Sequence, residues 1–309
     1  MENCAACERP SVYFRMYSGE KLCRGCFLRS IENKVRETIS KYSMIRHGEK
    51  VALALSGGKD STALISIMAK LGARFPGYEL VAITVDEGIA GYRDESIRIA
   101  RKRCSQLGVD HLIVSFEDLY GFTLDEIREA LRRDGVGLGT CSYCGVLRRK
   151  ALNSTAKAVK ADKLITAHSL DDEVQTILLN VIHGDILRLP RITPDVERKI
   201  PGLIPRVKPL REVPEEEIAL YAFLRKIEMQ KTPCPYAKES MRNDARMLIN
   251  TFEKKHPGTR YTMLRSFERL SSSIRTSTIA DIRYCKECGE PAAADMCKTC
   301  EILSHLKPE

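Results

Sequence analysis

The chain has 309 residues, 43% hydrophobic and 29% charged, which suits one large globular domain with small modules attached. No apolar run approaches the roughly 18–20 residues that cross a bilayer, and cysteines rather than an apolar leader follow the first Met, so a cytoplasmic protein away from membranes is expected. Fifty Lys and Arg against 41 Asp and Glu favour a polyanionic partner, nucleic acid above all, and twelve Cys in such a chain argue for metal rather than disulfides.

Cys4-Ala-Ala-Cys7 and Cys23-Arg-Gly-Cys26 are two Cys-x-x-Cys pairs separated by fifteen residues. Each pair presents two thiolates from a tight turn, and two pairs close a tetrahedron. Cys4, Cys7, Cys23 and Cys26 therefore read as a structural zinc site in a finger over residues 1–30, with Val12, Tyr13 and Phe14 as a short hairpin strand. A redox role for these pairs is the weaker reading. Ile31, Val35 and Ile39 recur at helical spacing, which predicts an amphipathic helix over Ile31–Tyr42 within a linker, residues 31–48.

Val51–Leu55 reads as a buried parallel strand, Ser56, Gly57 and Gly58 as a tight turn, and Lys59–Leu71 as a helix closed by Gly72. A glycine turn between a strand end and a helix N-terminus leaves unpaired N–H groups converging ahead of the positive end of the helix dipole, which is a ready anion site. The spacing is not that of the common NTPase loop, which needs four residues between Gly and Gly-Lys-Ser/Thr. Ser56-Gly57-Gly58-Lys59-Asp60-Ser61 instead resembles the pyrophosphate loop of ATP pyrophosphatases, which split ATP into AMP and pyrophosphate. The resemblance implies that the loop holds the departing pyrophosphate, that Asp60 helps bind magnesium, and that a substrate oxygen is adenylated.

Leu80–Val85 is a second strand ending at Asp86. Ligands of a doubly wound sheet lie beyond the carboxyl ends of its strands. Thr84, Val85 and Asp86 are thus expected near adenine or ribose, with Asp86 alternatively a turn carboxylate. A helix over Glu95–Leu107 carries Cys104 inward as a core thiol, His111–Phe116 is a third strand and Thr123–Arg133 a helix. A glycine-rich approach, Gly135–Gly145, brings Cys141 and Cys144 to a helix read from Cys144 to Lys160, with Arg148, Arg149 and Lys150 in its early turns. A helix N-terminus and nearby cations favour thiolate, and at least one cation is expected to reach an ATP phosphate.

Lys163–Ala167 is a fourth strand, and His168-Ser-Leu-Asp171-Asp172 leads into a helix read as Asp172–Ile182. Asp171 or Asp172 caps that helix, or Asp172 faces Asp60 across one Mg²⁺. Asp185, Arg188, Pro190 and Pro194 mark a basic loop read as substrate-facing, followed by an apolar return at Pro201–Lys208 and a helix at Pro214–Ile227. Pro233 and Pro235 fix Cys234 outside any helix interior. Basic helices at Lys238–Lys255 and Tyr261–Arg275 form an extension over residues 231–280, and Cys285, Cys288, Cys297 and Cys300 make a second zinc knuckle in residues 281–309.

With four Cys assigned to each knuckle and Cys104 to the core, Cys141, Cys144 and Cys234 are left. By spacing alone they suit either a 4Fe–4S cluster with one open iron or a redox pair, or persulfide relay, with a resolving thiol. Taken together, Ser56–Ser61, Cys141-Ser-Tyr-Cys144-Gly, His168–Asp172, Gly184-Asp185, Cys234 and both knuckles resemble the TtcA/TtuA family of tRNA 2-thiolation enzymes. The knuckles place the chain in its TtuA/NcsA-like branch.

The resemblance implies an α/β fold, a parallel five-stranded Rossmann-like ATP-pyrophosphatase domain over residues 49–230 flanked by zinc fingers. It implies a 4Fe–4S cluster on Cys141, Cys144 and Cys234, and Asp60, Arg148 and Asp172 at the catalytic centre. Arg148 stands where relatives often carry Lys; it supplies charge and phosphate hydrogen bonds but no proton at neutral pH. ATP is expected with phosphates on Ser56–Ser61 and adenine near Ala54, Val85 and Ala167, with a tRNA substrate, free sulfide or a thiocarboxylated ubiquitin-like carrier as sulfur donor, and a homodimer. The alternatives are another tRNA-modifying ligase of the lysidine synthetase kind and a non-catalytic zinc-dependent RNA-binding protein.

Overall fold

The computed structural model describes residues 3–135, 139–185, 200–237, 241–275 and 283–306. Arg188, Pro190, Pro194 and Lys238 lie outside them. An antiparallel ribbon, β1 (Tyr13–Arg15) and β2 (Glu20–Leu22), opens the chain and leads into α1 (Arg24–Lys41). The helix expected from Ile31 thus begins seven residues earlier. Cys23 is its N-cap and Cys26 lies in its first turn, and Phe27 and Leu28 extend the buried stripe of Ile31 and Val35 backwards. The N-terminal four-cysteine module and the linker helix are therefore one continuous piece, sharing a core with the main sheet.

The central unit alternates strand and helix: β3 (Glu49–Ala54), α2 (Lys59–Arg74), β4 (Tyr78–Asp86), α3 (Arg93–Leu107), β5 (Asp110–Ser115), α4 (Phe116–Tyr120), α5 (Leu124–Arg133), α6 (Thr140–Ala158), β6 (Lys163–Ile165), α7 (Leu170–Ile182), β7 (Arg206–Val207) and α8 (Glu215–Leu224). The five strands pair in parallel in the order β5-β4-β3-β6-β7. The order reverses at β3, so the crevice between the ends of β3 and β6 is where this topology puts a ligand.

Side chains alternate across the sheet. Val51, Leu53, Leu55 and Ile165 face a core shared with α1, α2 and α8, whereas Ala52, Val81, Ile83, Val85 and Leu164 face α5 and α6. Leu64, Ile65 and Met68 of α2 are wholly buried in the first core, each worth about 1.5–3 kcal/mol. Gly72 does not end α2, which continues to Arg74. The ring of Tyr78 lies over Gly72, and its hydroxyl donates to the Met68 carbonyl at 2.6 Å, packing that offsets the cost of glycine in a helix.

Two further helices, α9 (Arg242–Lys255) and α10 (Thr259–Arg275), pack on α7 around Leu170, Val174, Ile249, Leu264 and Phe267. A second small ribbon, β8 (Arg283–Tyr284) and β9 (Pro291–Ala292), and α11 (Lys298–Ser304) complete the chain, with α11 against α6 through Ile302. The N-terminal finger is pinned to α8 by Arg15, whose Nε stands 2.7 Å from Oε1 of the fully buried Glu217. Among the described residues no helix is long and apolar enough to cross a membrane.

A candidate nucleotide site beside three cysteines

Between the ends of β3, β4 and β6 lies an open cleft of about 250 Å³, lined by Ser56, Gly58, Asp60, Glu87, Arg148 and His168 among others. The turn at its base is built for close approach. Gly57 has φ +80°, and a Cβ there would come within 2.4 Å of the Ser96 carbonyl oxygen, so only glycine fits. The hydroxyls of Ser56 and Ser61 stand 3.0 Å apart, the Gly58 N–H donates to the Ser56 hydroxyl, and Ser61 donates to the Gly58 carbonyl. Gly58 caps α2 without any side chain over the helix N-terminus, which leaves the first-turn N–H groups for an anion.

Asp60 lines the same cleft. Its Oδ2 pairs with Lys59 at 3.1 Å, while its buried Oδ1 has no hydrogen-bond partner. Burial pushes its carboxyl up to about 6, against the pull of Lys59 and with Glu215 and Asp172 adding to the rise. An orphaned carboxylate oxygen at the mouth of a phosphate turn suits a hard divalent cation such as magnesium.

Asp172 is the third residue of α7, which starts at Leu170 rather than Asp172 because Ser169 is its cap. Asp172 Oδ2 accepts from the Ser169 N–H and hydroxyl, closing a capping box, and its Oδ1 is 3.6 Å from Arg242. Asp171 accepts from the Glu215 N–H and pairs with Arg260 at 3.0 Å, so it serves the fold rather than the cleft.

Helix α6 begins at Thr140, not Cys144, which puts Cys141 and Cys144 together in its opening turns. Cys141 donates to the Tyr236 carbonyl at 3.3 Å, two residues beyond Cys234. Gln230 and Tyr236 bracket the Cys234 segment. The Gln230 N–H donates to the Gly57 carbonyl of the phosphate turn, and the Tyr236 hydroxyl donates to Asp125 of α5 at 2.6 Å. One short strap thus joins the phosphate turn to the two thiols of α6.

Cys144 and Cys234 flank the same core, and the Cys144 thiol is pushed up to about 12, by burial first, with Glu87, Cys234 and Cys141 adding to the rise against Arg148. The thiolate expected from the helix N-terminus and its cations is therefore not favoured in the bare protein. Three thiols near enough for Cys141 and Cys234 to act on the charge of Cys144 are a donor set suited to a cationic metal cluster. Their sulfurs are not all within 4.8 Å of one another, unlike those of the two knuckles. That is compatible with a cubane, whose thiolates bind separate irons.

At each end of the chain four thiols converge, Cys4, Cys7, Cys23 and Cys26 at one and Cys285, Cys288, Cys297 and Cys300 at the other. Both sets fit tetrahedral zinc. A tetrathiolate zinc centre carries a net negative charge, and cations stand against both: Arg9 and Arg29 donate to Cys7 and Cys26, and Lys150 of α6 donates to Cys288 at 3.0 Å.

A family model described as a PP-loop domain matches residues 28–252. The tRNA 2-thiolation protein NcsA of Haloferax volcanii is 36% identical, over 98% of this chain and 99% of that protein. The cytoplasmic tRNA 2-thiolation protein 1 of Danio rerio is 37% identical, over 98% of this chain and 88% of that protein. The chain belongs to the tRNA 2-thiolation family of PP-loop proteins. The solved U34-tRNA thiolase NcsA from Methanococcus maripaludis, with its [4Fe-4S] cluster, matches 100% of this chain and 98% of its own at a TM-score of 0.86 and 35% identity.

In this tRNA 2-thiolation family member, Ala54, Ser56, Gly58, Asp60, Ser61, Val85, Arg148 and Ala167 all line the cleft. Gly57 supports it from behind, and Lys59 turns to Glu215 of α8 at 2.6 Å. Asp172 lies outside the lining yet close enough to act on the charge of Asp60. Asp86 accepts from the Gly88 N–H at 2.9 Å, the turn role, and Cys104 is buried in the core as expected.

Sequence reasoning missed Glu87, Arg93 and Thr166 and gave His168 no role. Glu87 had a signal: it continues the parity of Val81, Ile83 and Val85, so it points where they point. The imidazole of His168, with Nδ1 2.9 Å from the Thr166 hydroxyl, is drawn down to about 4, first by desolvation in the cleft and then by the charge of Lys208.

Proposed function

We propose that this protein is a tRNA-uridine 2-sulfurtransferase acting at uridine 34. The observation that carries the reading is the strap Gln230–Tyr236, which carries Cys234 and bonds at one end to the pyrophosphate-type turn and at the other to Cys141 of α6. Membership of a family whose relatives bear tRNA 2-thiolation names supports it.

ATP rests with its β- and γ-phosphates on the N–H groups and hydroxyls of Ser56–Ser61 and its adenine between Ala54, Val85 and Ala167. Magnesium would be held between the phosphates and Asp60. The uridine C2 oxygen attacks the α-phosphate and pyrophosphate leaves, which turns a poor leaving oxygen into AMP. Arg148 neutralises charge on the phosphates as this bond breaks. Sulfur, delivered as sulfide, then adds at C2, and AMP departs with the former C2 oxygen. A 4Fe–4S cluster on Cys141, Cys144 and Cys234 would supply a Lewis-acidic iron with an exchangeable position for sulfide.

The two four-thiol knuckles would hold structural zinc. Together with the basic helices α9 and α10 they would bind tRNA, mostly through its phosphates. The target base must leave its stack to reach the cleft.

Purified protein kept from air should form AMP and pyrophosphate from ATP only when tRNA is added. An ATP turnover indifferent to tRNA, or none at all, would remove the adenylation step. A net charge of +9 also predicts that tRNA affinity falls steeply with salt, by about tenfold or more between 50 and 200 mM, read by filter binding.

A further inference from the structure

Glu87 is a carboxylate with 4% of its side chain exposed, in the wall of the nucleotide cleft. A buried carboxylate needs cationic partners, and Glu87 has two. Its Oε2 is 2.7 Å from Nε of Arg93, itself only 6% exposed, and its Oε1 accepts from the Arg148 guanidinium at 3.3 Å. The two arginines differ. Arg93 is locked in place, donating to the carbonyls of Val85 and of Ser56 in the phosphate turn. Arg148 is 49% exposed, and among the described residues its guanidinium bonds only to Glu87.

Arg148 lies one helical turn beyond Cys144 on α6 and also lines the nucleotide cleft. A long, half-exposed cation between a thiol group and a phosphate turn has two attractive destinations. Something must hold it on the phosphate side, and Glu87 is the fixed anion that does so, since it is itself tied to that turn through Arg93.

Resting on the adenylation reading above, we propose that Glu87 is a positioning residue for that step. Through one carboxylate it fixes Arg148 to the frame of the phosphate turn, so that the guanidinium meets the α-phosphate region at the moment pyrophosphate leaves and does not collapse onto the cysteines. A displacement of about 1 Å at such a group costs on the order of a hundredfold in rate.

The test is a double-variant cycle on the iron-loaded protein, with tRNA-dependent AMP formation and ATP titration as readouts. Glu87→Gln keeps the shape and removes the charge. It should lower kcat by about 10–100-fold while KM for ATP changes by less than about threefold. Because Glu87 acts through Arg148, the double variant Glu87→Gln/Arg148→Gln should be no slower than Arg148→Gln alone. Glu87→Asp keeps the charge for Arg93 but shortens the reach to Arg148. It should also lose kcat, and that loss too should vanish in the Arg148→Gln background.

Losses that multiply in the double variants, or an unchanged kcat in Glu87→Asp, would make Glu87 a plain counter-ion of Arg93 and overturn the proposal. Wild-type protein that forms no tRNA-dependent AMP would instead overturn the adenylation reading, so the two failures are distinct.

Discussion

Replacing Cys234 with alanine is expected to strip the protein of iron and of all thiolation activity while both zinc ions stay bound. Each knuckle closes its tetrahedron with four thiols of its own, and none of them is Cys234. A cluster left with Cys141 and Cys144 alone would have two irons without a protein ligand and would be lost. The fold should survive. Cys234 is half-buried between two prolines, and the strap is held at its ends by Gln230 and Tyr236, which the substitution leaves intact. Metal analysis of anaerobically purified protein checks this directly. Iron at the wild-type level in Cys234→Ala would sink the three-thiolate assignment.

Asp60→Asn should abolish adenylation and, in the same protein, raise stability. The sign follows from the carboxyl being pushed up to about 6 by burial, whereas in the unfolded chain it titrates near 4. Between those values the folded state holds a proton that the unfolded state has lost. Stability contributed at this position therefore falls as pH rises from about 4 to 6, and above 6 the full cost of an ionised, partly buried carboxylate is felt.

About two pKa units correspond to at most about 3 kcal/mol, and the remaining exposure of the side chain reduces this toward 1 kcal/mol. The amide avoids that cost. Metal- and nucleotide-free Asp60→Asn should melt higher than wild type at pH 7.5, by about 2–4 °C per kcal/mol, and the gain should shrink to about a third near pH 4.5. AMP formation should fall by about two to three orders of magnitude. A variant that melts lower at pH 7.5, or that forms AMP at the wild-type rate, would contradict the role given to Asp60.

What could be read from the chain was what periodicity and local spacing encode. Apolar runs at Val51–Leu55 and Leu80–Val85 gave the strands, the Ser56–Ser61 turn gave the anion site, and paired Cys-x-x-Cys gave the knuckles. Helix starts were less legible, because a cap can lie upstream of the residues that announce the helix. Ser169 caps α7 before Asp172, and α6 opens at Thr140, before Cys144.

Contacts between distant residues were not legible at all. Lys59 belongs to the phosphate-turn motif, yet it reaches Glu215, which is 156 positions away. The expected lowering of the Cys144 thiol failed for a related reason. The helix N-terminus and Arg148 are local and visible, but the burial and the neighbouring Glu87 and Cys234 that outweigh them come from the tertiary fold. Glu87 itself was within reach: the parity of β4 points it into the cleft, and the more conspicuous Asp86, one position earlier, drew the assignment.

Mass spectrometry of nucleosides from tRNA incubated without air with the iron-loaded protein, ATP and sulfide tests the central claim most directly. The prediction is 2-thiouridine at position 34, formed only with ATP and absent with Cys234→Ala. Protein that carries its iron and converts ATP to AMP on tRNA, yet leaves every uridine without sulfur, would contradict it.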